Sequence, residues 1–213
     1  LKSYLIEHQS HQENRVSFLA LSNEGYKNIS RLSSRASKNG VSASVSYLSY
    51  SELQNLNLRD VLILVGNDFS KLKKSIFELD TETSENILKF FIKLVGKENV
   101  VLEVEKHSNR RGYDTLIMDS VHLAEKLEIL PIITSNSRFT SIKDEKSYRI
   151  VVAIREGIQV SKVGERDYSW LALDGVNHHL VTDQEMVSNL KTFPELLFNT
   201  LRLKERFPSK VIH

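Results

Sequence analysis

Glu103, Glu105 and His107 occupy alternate positions in the run VVLEVEKH, residues 100–107. An extended chain places alternate side chains on one face. Two carboxylates and an imidazole on one face are ligand types for a divalent metal. The same residues also suit a solvated strand end, with Lys106 and Arg110 as charge partners. The other imidazoles have weaker placements. His178 and His179 are adjacent, so their side chains point different ways, and the pair is expected in a solvated loop. His8 and His11 lie in a polar stretch read as a solvated turn. Three basic clusters stand out: Lys71, Lys73 and Lys74; Lys106, Arg110 and Arg111; Arg202, Lys204 and Arg206. Acidic residues nearly balance them, leaving a formal net charge of +2. They are expected to be solvated helix faces rather than a nucleic-acid track.

Composition excludes several classes of function. The chain has no cysteine, so it forms neither disulfides nor thiolate metal sites. Its 8 glycines include no G-x-G-x-x-G and no phosphate-binding G-K-[ST]. There is no G-x-S-x-G nucleophile elbow and no H-E-x-x-H zinc pattern. Eighteen consecutive apolar residues occur nowhere, so no membrane span is expected. A hydrophobic fraction of 40% over 213 residues is enough for a substantial core. The first residue is Leu1 rather than Met, which suggests a piece of a longer chain.

The elements that must carry these residues follow from periodicity. Tyr4 to Ile6 reads as a short strand. Arg15 to Leu21, RVSFLAL, reads as a buried strand. A helix over 25–38 turns Ile29, Leu32 and Ala36 inward and stops at Asn39-Gly40. Ser51 and Gln54 suggest a capping box for a short helix over 52–56. Val61 to Val65, VLILV, suits a strand covered on both faces. Helices are expected over 69–79 and 84–95, then the strand over 100–105. A helix over 115–127 follows, with Leu116, Met118, His122, Leu123 and Leu127 as inward positions. Pro131 opens the next strand, with Ile132 and Ile133 in it, and Thr134 to Ser137 is the polar loop past its end, where α/β proteins place ligands. A helix over 143–156 has Tyr148, Val151, Val152 and Ile154 on or beside one face, with Gly157 as its stop. Residues 161–177 read as irregular. Thr182 and Glu185 form a capping box, and Pro194 opens a final helix with Leu196, Leu197, Thr200, Leu201 and Leu203 as apolar positions. Strands alternating with helices argue for a mostly parallel sheet or barrel. The domain division is 1–160 for an α/β core and 161–213 for an irregular connection with closing helices.

Several stretches together carry a family resemblance. VSFLALSNEGYKNISRLSS, residues 16–34, matches a pattern of strand, N-x-x-G-Y-x-N-L turn and helix at Leu19-Ala20, Asn23, Gly25-Tyr26 and Asn28-Ile29. LPIITSNSRF resembles a strand ending in T-x-D-x-H, and YRIVVAIREG its following helix. TDQEMVSNL and FPELLFNTLRLKERF resemble the closing helices. In this order and spacing the chain resembles the polymerase-and-histidinol-phosphatase (PHP) domain of bacterial DNA polymerase III alpha subunits. The resemblance implies a distorted βα barrel, incomplete at its N-terminal end, with C-terminal helices. It also implies a bacterial, cytoplasmic setting, within a polymerase that adds nucleotides to a DNA template using Mg.

The departures bear on function. The family's first two metal motifs have no counterpart after Leu1. Arg15 stands where the family's next ligand is His. Ser137 stands at the Asp, and Arg138 or Phe139 at the His, of the T-x-D-x-H loop. His107 matches a family His and remains a metal candidate with Glu103 and Glu105. A single imidazole does not make a site, because divalent metals need several converging ligands. No catalytic residue is assigned. The implied role is a structural or interaction domain with a degenerate metal site. Its partners would be the remainder of the alpha subunit, a proofreading exonuclease subunit, and DNA through the parent chain. The alternative is a Zn- or Mn-dependent phosphoesterase, cleaving 3′ nucleotide ends or small phosphate esters through Glu103, Glu105, His107 and His122. A direct DNA-binding module is a third reading, which the near-neutral charge disfavours. With its first βα units missing, the sheet is expected to be open, with Tyr4–Ile6 or Arg15–Leu21 as an exposed edge through which copies self-associate.

Overall fold

The computed structural model describes residues 2–6, 13–39, 47–67, 70–105, 113–163 and 178–208. In chain order these form β1 (Lys2–Ile6), β2 (Glu13–Ala20), α1 (Asn23–Lys38), β3 (Tyr47–Ser49), α2 (Tyr50–Gln54), β4 (Val61–Val65), α3 (Lys71–Phe77), α4 (Thr81–Val95), β5 (Val100–Glu105), α5 (Tyr113–Lys126), β6 (Leu130–Thr134), α6 (Glu145–Glu156), α7 (Asp183–Asn189) and α8 (Pro194–Lys204). The strands make one six-stranded sheet in the order β3-β1-β2-β4-β5-β6. No described helix is long and apolar enough to cross a membrane.

The sheet is mixed rather than mostly parallel. β4, β5 and β6 run parallel, but β1 pairs antiparallel with β2, and β2 antiparallel with β4. Chain length explains the first reversal. Only residues 7–12 separate β1 from β2, and a parallel pair needs a crossover of roughly a dozen residues or more. The sheet is open among the described residues, but its edges are not the expected ones. β1 and β2 are both interior. The edges are β3, three residues long, and β6.

Register sorts the side chains into two faces. Val16, Phe18, Ile63, Val65, Val100 and Leu102 point to the face covered by helices, where Leu32 of α1, Leu88 and Phe91 of α4, and Leu123 of α5 complete the main core. Each such buried aliphatic or aromatic side chain is worth about 2 kcal/mol against exposure. Ser17, Leu19, Leu62, Leu64, Val101, Glu103, Glu105, Ile132 and Thr134 share the other face with Arg15. Leu203 of α8 and Phe207 beyond it cover the apolar part of that face. α8 also lies along β6. Asn199 Nδ2 donates to Pro131 O at 3.0 Å, and Ile133 N donates to Thr200 Oγ1 at 3.2 Å.

Three helices differ from expectation in detail. α2 starts at Tyr50, and its capping box is Ser49 with Glu52, not Ser51 with Gln54. Glu52 also accepts from Asn39 Nδ2 and Arg35 Nε, which a glutamine would do less strongly. In α5, Ile117 and Ala124 are buried, while Met118 and His122 lie on a less buried neighbouring stripe. In α6 the inward residues are Val152 and Ala153, and Val151 and Ile154 face outward. The expected Gly157 stop holds, with that residue in the left-handed conformation. The irregular stretch expected over 161–177 falls largely outside the described residues.

Candidate strand-end site

The polar rim lies where the C-terminal ends of β4, β5 and β6 meet the N-terminal half of β2. β4 ends in Gly66 and Asn67. Asn67 is buried, and its Nδ2 donates to Arg15 O at 2.9 Å, fixing β2 against the end of β4. Gly66 has φ 118, and a Cβ there would stand 2.5 Å from Glu103 O. The sequence therefore needs glycine where β4 and β5 approach one another.

Glu103 and Glu105 project from β5 on one face, as alternation predicts. They do not form a solvated strand end. Glu103 is 8% exposed and Glu105 2%. Thr134 Oγ1, across on β6, donates to Glu103 Oε1 at 2.9 Å. Arg15 is half-buried on the same face of the sheet. His107, Lys106, Arg110 and Arg111 lie outside the described residues, as do His8 and His11. His122 is on the outward side of α5, which packs against the opposite face, so the fold does not bring it to the two carboxylates. Among the described residues no three His, Cys, Asp or Glu side chains come together as a metal-binding group.

The polar loop after β6 is tied to a distant segment. His178 and His179 are not in a solvated loop: they are 5% and 8% exposed. Arg138 N donates to His178 O at 2.7 Å, Leu180 N donates to Phe139 O at 2.9 Å, and Ser137 Oγ donates to His179 O at 3.1 Å. His178 Nδ1 lies 3.0 Å from Asn136 O, so it carries the proton there. His179 Nε2 lies 3.3 Å from Glu185 Oε1, in the capping box that starts α7. Hydrogen bonds from Thr182, backbone first and then side chain, hold the Glu185 carboxyl below its ordinary range, and the His179 contact adds to them. Arg138 Nη1 donates to Tyr148 Oη at 3.1 Å, and the Phe139 and Tyr148 rings pack at a tilt, with centroids 5.6 Å apart. Sequence reasoning missed His178, His179, Asn136 and Glu185 as one unit. Their pairing spans more than forty residues, and the only local signal was the Thr182–Glu185 box.

Beside the end of β5, a small cleft opens between α3 and α5, with Lys73, Gly66, Ile117 and Ser120 in its walls. The basic clusters are partly used by the fold. Lys74 lies 3.9 Å from Glu78, and Arg206 Nη2 donates to Asn99 Oδ1 at 2.7 Å, tying the end of α8 to the loop before β5.

A family model described as PHP domain matches residues 1–107, half of the chain. The chain belongs to the PHP domain family. Over nearly its whole length, the chain is also similar to curated DNA polymerase III alpha subunits. One, from Buchnera aphidicola of Acyrthosiphon pisum, is 26% identical over 203 residues, covering 92% of this chain and 16% of the relative. Another, from Escherichia coli K12, is 23% identical over 192 residues, covering 90% of this chain and again 16% of the relative. The Haemophilus influenzae subunit stands at the same 23%, 90% and 16%. The chain thus spans about a sixth of the length of these relatives. The mixed α/β sheet with its helical layer is consistent with a PHP domain, although the described strands make an open sheet.

Proposed function

We propose that this PHP domain is a structural and organisational part of a bacterial replicative DNA polymerase III alpha subunit, with a metal site that has decayed. One observation carries the reading. The positions that would hold ligands in a metal-binding member are occupied by Arg15, Ser137 and Arg138 or Phe139, and the last three are already engaged. Ser137 and the Arg138 and Phe139 backbones bind the 178–180 segment, and the Arg138 guanidinium binds Tyr148. Glu103 and Glu105 remain as carboxylates, but Arg15 shares their face, and a cation nearby opposes a second one. Two carboxylates with an arginine fit a divalent ion poorly. The polymerase reaction, its Mg and its DNA contacts would then belong to the rest of the chain. A proofreading exonuclease subunit is a candidate partner.

The second reading, a Zn- or Mn-dependent phosphoesterase, is favoured by the burial of Glu103 and Glu105 side by side on one face beside Thr134. Calorimetric titration with Zn and with Mn, alongside hydrolysis of a phosphate ester on the same samples, decides between the two. The expected result is neither stoichiometric binding nor hydrolysis. Binding that is lost in His107→Ala and Glu103→Gln, together with hydrolysis, would overturn the structural reading. DNA affinity that is tight and falls steeply with salt would instead favour a direct DNA-binding role.

A further inference from the structure

The chain from Phe139 to Val163 closes on itself. Val152 and Ala153 of α6, and Val163 beyond it, are buried against Phe139, Tyr148 and Ile158, as a cluster separate from those on the two faces of the sheet. Polar ties complete the unit. Ser141 and Asp144 cap its first turn, Ile158 N donates to Ala153 O at 3.0 Å just past Gly157, and Arg149 Nη2 donates to Val163 O at 2.5 Å. Its three buried residues make a small core, whereas the main core gathers Phe18, Leu32, Leu88 and Phe91 from a strand and two helices. Regions with few buried apolar contacts open at a lower free energy than the rest of a fold. Apart from the covalent run out of β6, the hydrogen bonds that tie this unit to the body, among the described residues, go to the 178–180 segment. Phe139 and His179 pair there as an isolated parallel bridge, closed by Phe139 N on His178 O and Leu180 N on Phe139 O. That segment leads into α7 and on to Leu190, which is buried with Val104, Ile117 and Ile133.

We propose that residues 139–163 open and close as one body while the six-stranded sheet stays folded, and that the 178–180 segment is the latch that sets how often they do. The hinge is the polar run 135–138. It starts one residue past Thr134, whose hydroxyl donates to Glu103, so the moving unit begins at the strand-end rim itself. The latch operates under either reading of that rim.

The test is native-state hydrogen exchange on the whole polymerase chain that contains this domain, read peptide by peptide in the mass spectrometer. Protection over 145–156 is expected to be roughly a hundredfold or more below that over β4 and β5. Leu180→Pro removes the N–H that donates to Phe139 O, at a position 61% exposed. It should lower protection over 145–156 by a further factor of roughly five and leave β4 and β5 unchanged. Ser137→Ala removes the hydroxyl bond to His179 O and should act in the same direction without altering the backbone. Equal protection over α6 and β5 in the parent would mean that the unit is held as firmly as the sheet, whatever part of the chain holds it, and would overturn the proposal. Protection over 145–156 that neither variant lowers would show that 178–180 is no latch. Protection lost equally from α6, β4 and β5 in both variants would make the opening global, which overturns the proposal as well.

Discussion

At the scale of single residues, Gly66 tests how closely the rim is built. A Cβ at this position would meet Glu103 O at 2.5 Å, a backbone atom inside the sheet, and φ is 118. At Gly157 the backbone is also left-handed, with φ 66, but nothing lies within 4 Å of where a methyl would sit. Gly157→Ala should therefore cost only the conformational strain, about 1 kcal/mol. Gly66→Ala adds a collision with a group that cannot rotate away, and should cost about 3 kcal/mol or more. Urea midpoints of the two variants measure the difference, and equal midpoints would contradict the close approach. Part of this rim was legible in the sequence. Alternation alone placed Glu103 and Glu105 on one face. What alternation did not give was their burial, because that depends on strands β4 and β6 arriving from elsewhere in the chain to flank β5. The histidines fail for the same reason. Adjacent residues 178 and 179 read as a loop, and their partners Asn136, Ser137 and Phe139 are about forty positions away.

At the scale of elements, the helix caps were mostly readable, and the one error has a chemical cause. Both Ser49-x-x-Glu52 and Ser51-x-x-Gln54 satisfy the pattern, and the structure uses the first because a carboxylate accepts more strongly than an amide. The backbone N–H of Ser49 and then the side-chain amide of Asn39 hold the Glu52 carboxyl at about 2, well below its ordinary range. A depressed carboxyl pKa stabilises the fold above the ordinary value near 4.3. That contribution is lost as the pH falls from there through about 2. Glu52→Gln should cost about 1 kcal/mol at pH 7 and flatten the decline in stability between about pH 5 and pH 2. Urea unfolding at neutral pH and near pH 3 is the measurement, and a variant as acid-labile as the parent would count against this account. Helix faces were less legible than caps. α5 and α6 each carry apolar residues on two stripes, and periodicity does not tell which one the sheet will meet. Met118, Val151 and Ile154 were misplaced for that reason.

At the scale of the whole molecule, the six-stranded sheet is open among the described residues, so its edges are where another copy could pair. Sequence alone suggests an exposed edge at β1 or β2. Pairing of β3 alongside β1 and of β4 alongside β2 instead makes both interior, and among the described residues the edges are β3 and β6. β3 offers only three residues, too few for a strong template. β6 is the edge that needs protection, and α8 supplies it through side chains. Asn199 donates to Pro131 O, Ile133 N donates to Thr200 Oγ1, and the Thr200 hydroxyl lies 3.3 Å from Ile133 O. Thr200→Val keeps the shape but removes the acceptor for Ile133 N. Combined with Asn199→Leu, it leaves three outward-facing backbone groups of β6 without their side-chain partners. An unsatisfied buried backbone group costs roughly 1–3 kcal/mol, so the helix should lift from the edge more often. The double variant is expected to unfold at lower urea and to sediment as a mixture that grows heavier with concentration, through β6 pairing with β6. Adding Ile133→Pro to it should abolish the heavier species, since proline cannot donate to a new ladder. If the double variant sediments like the parent at every concentration, α8 is not what keeps this edge from pairing.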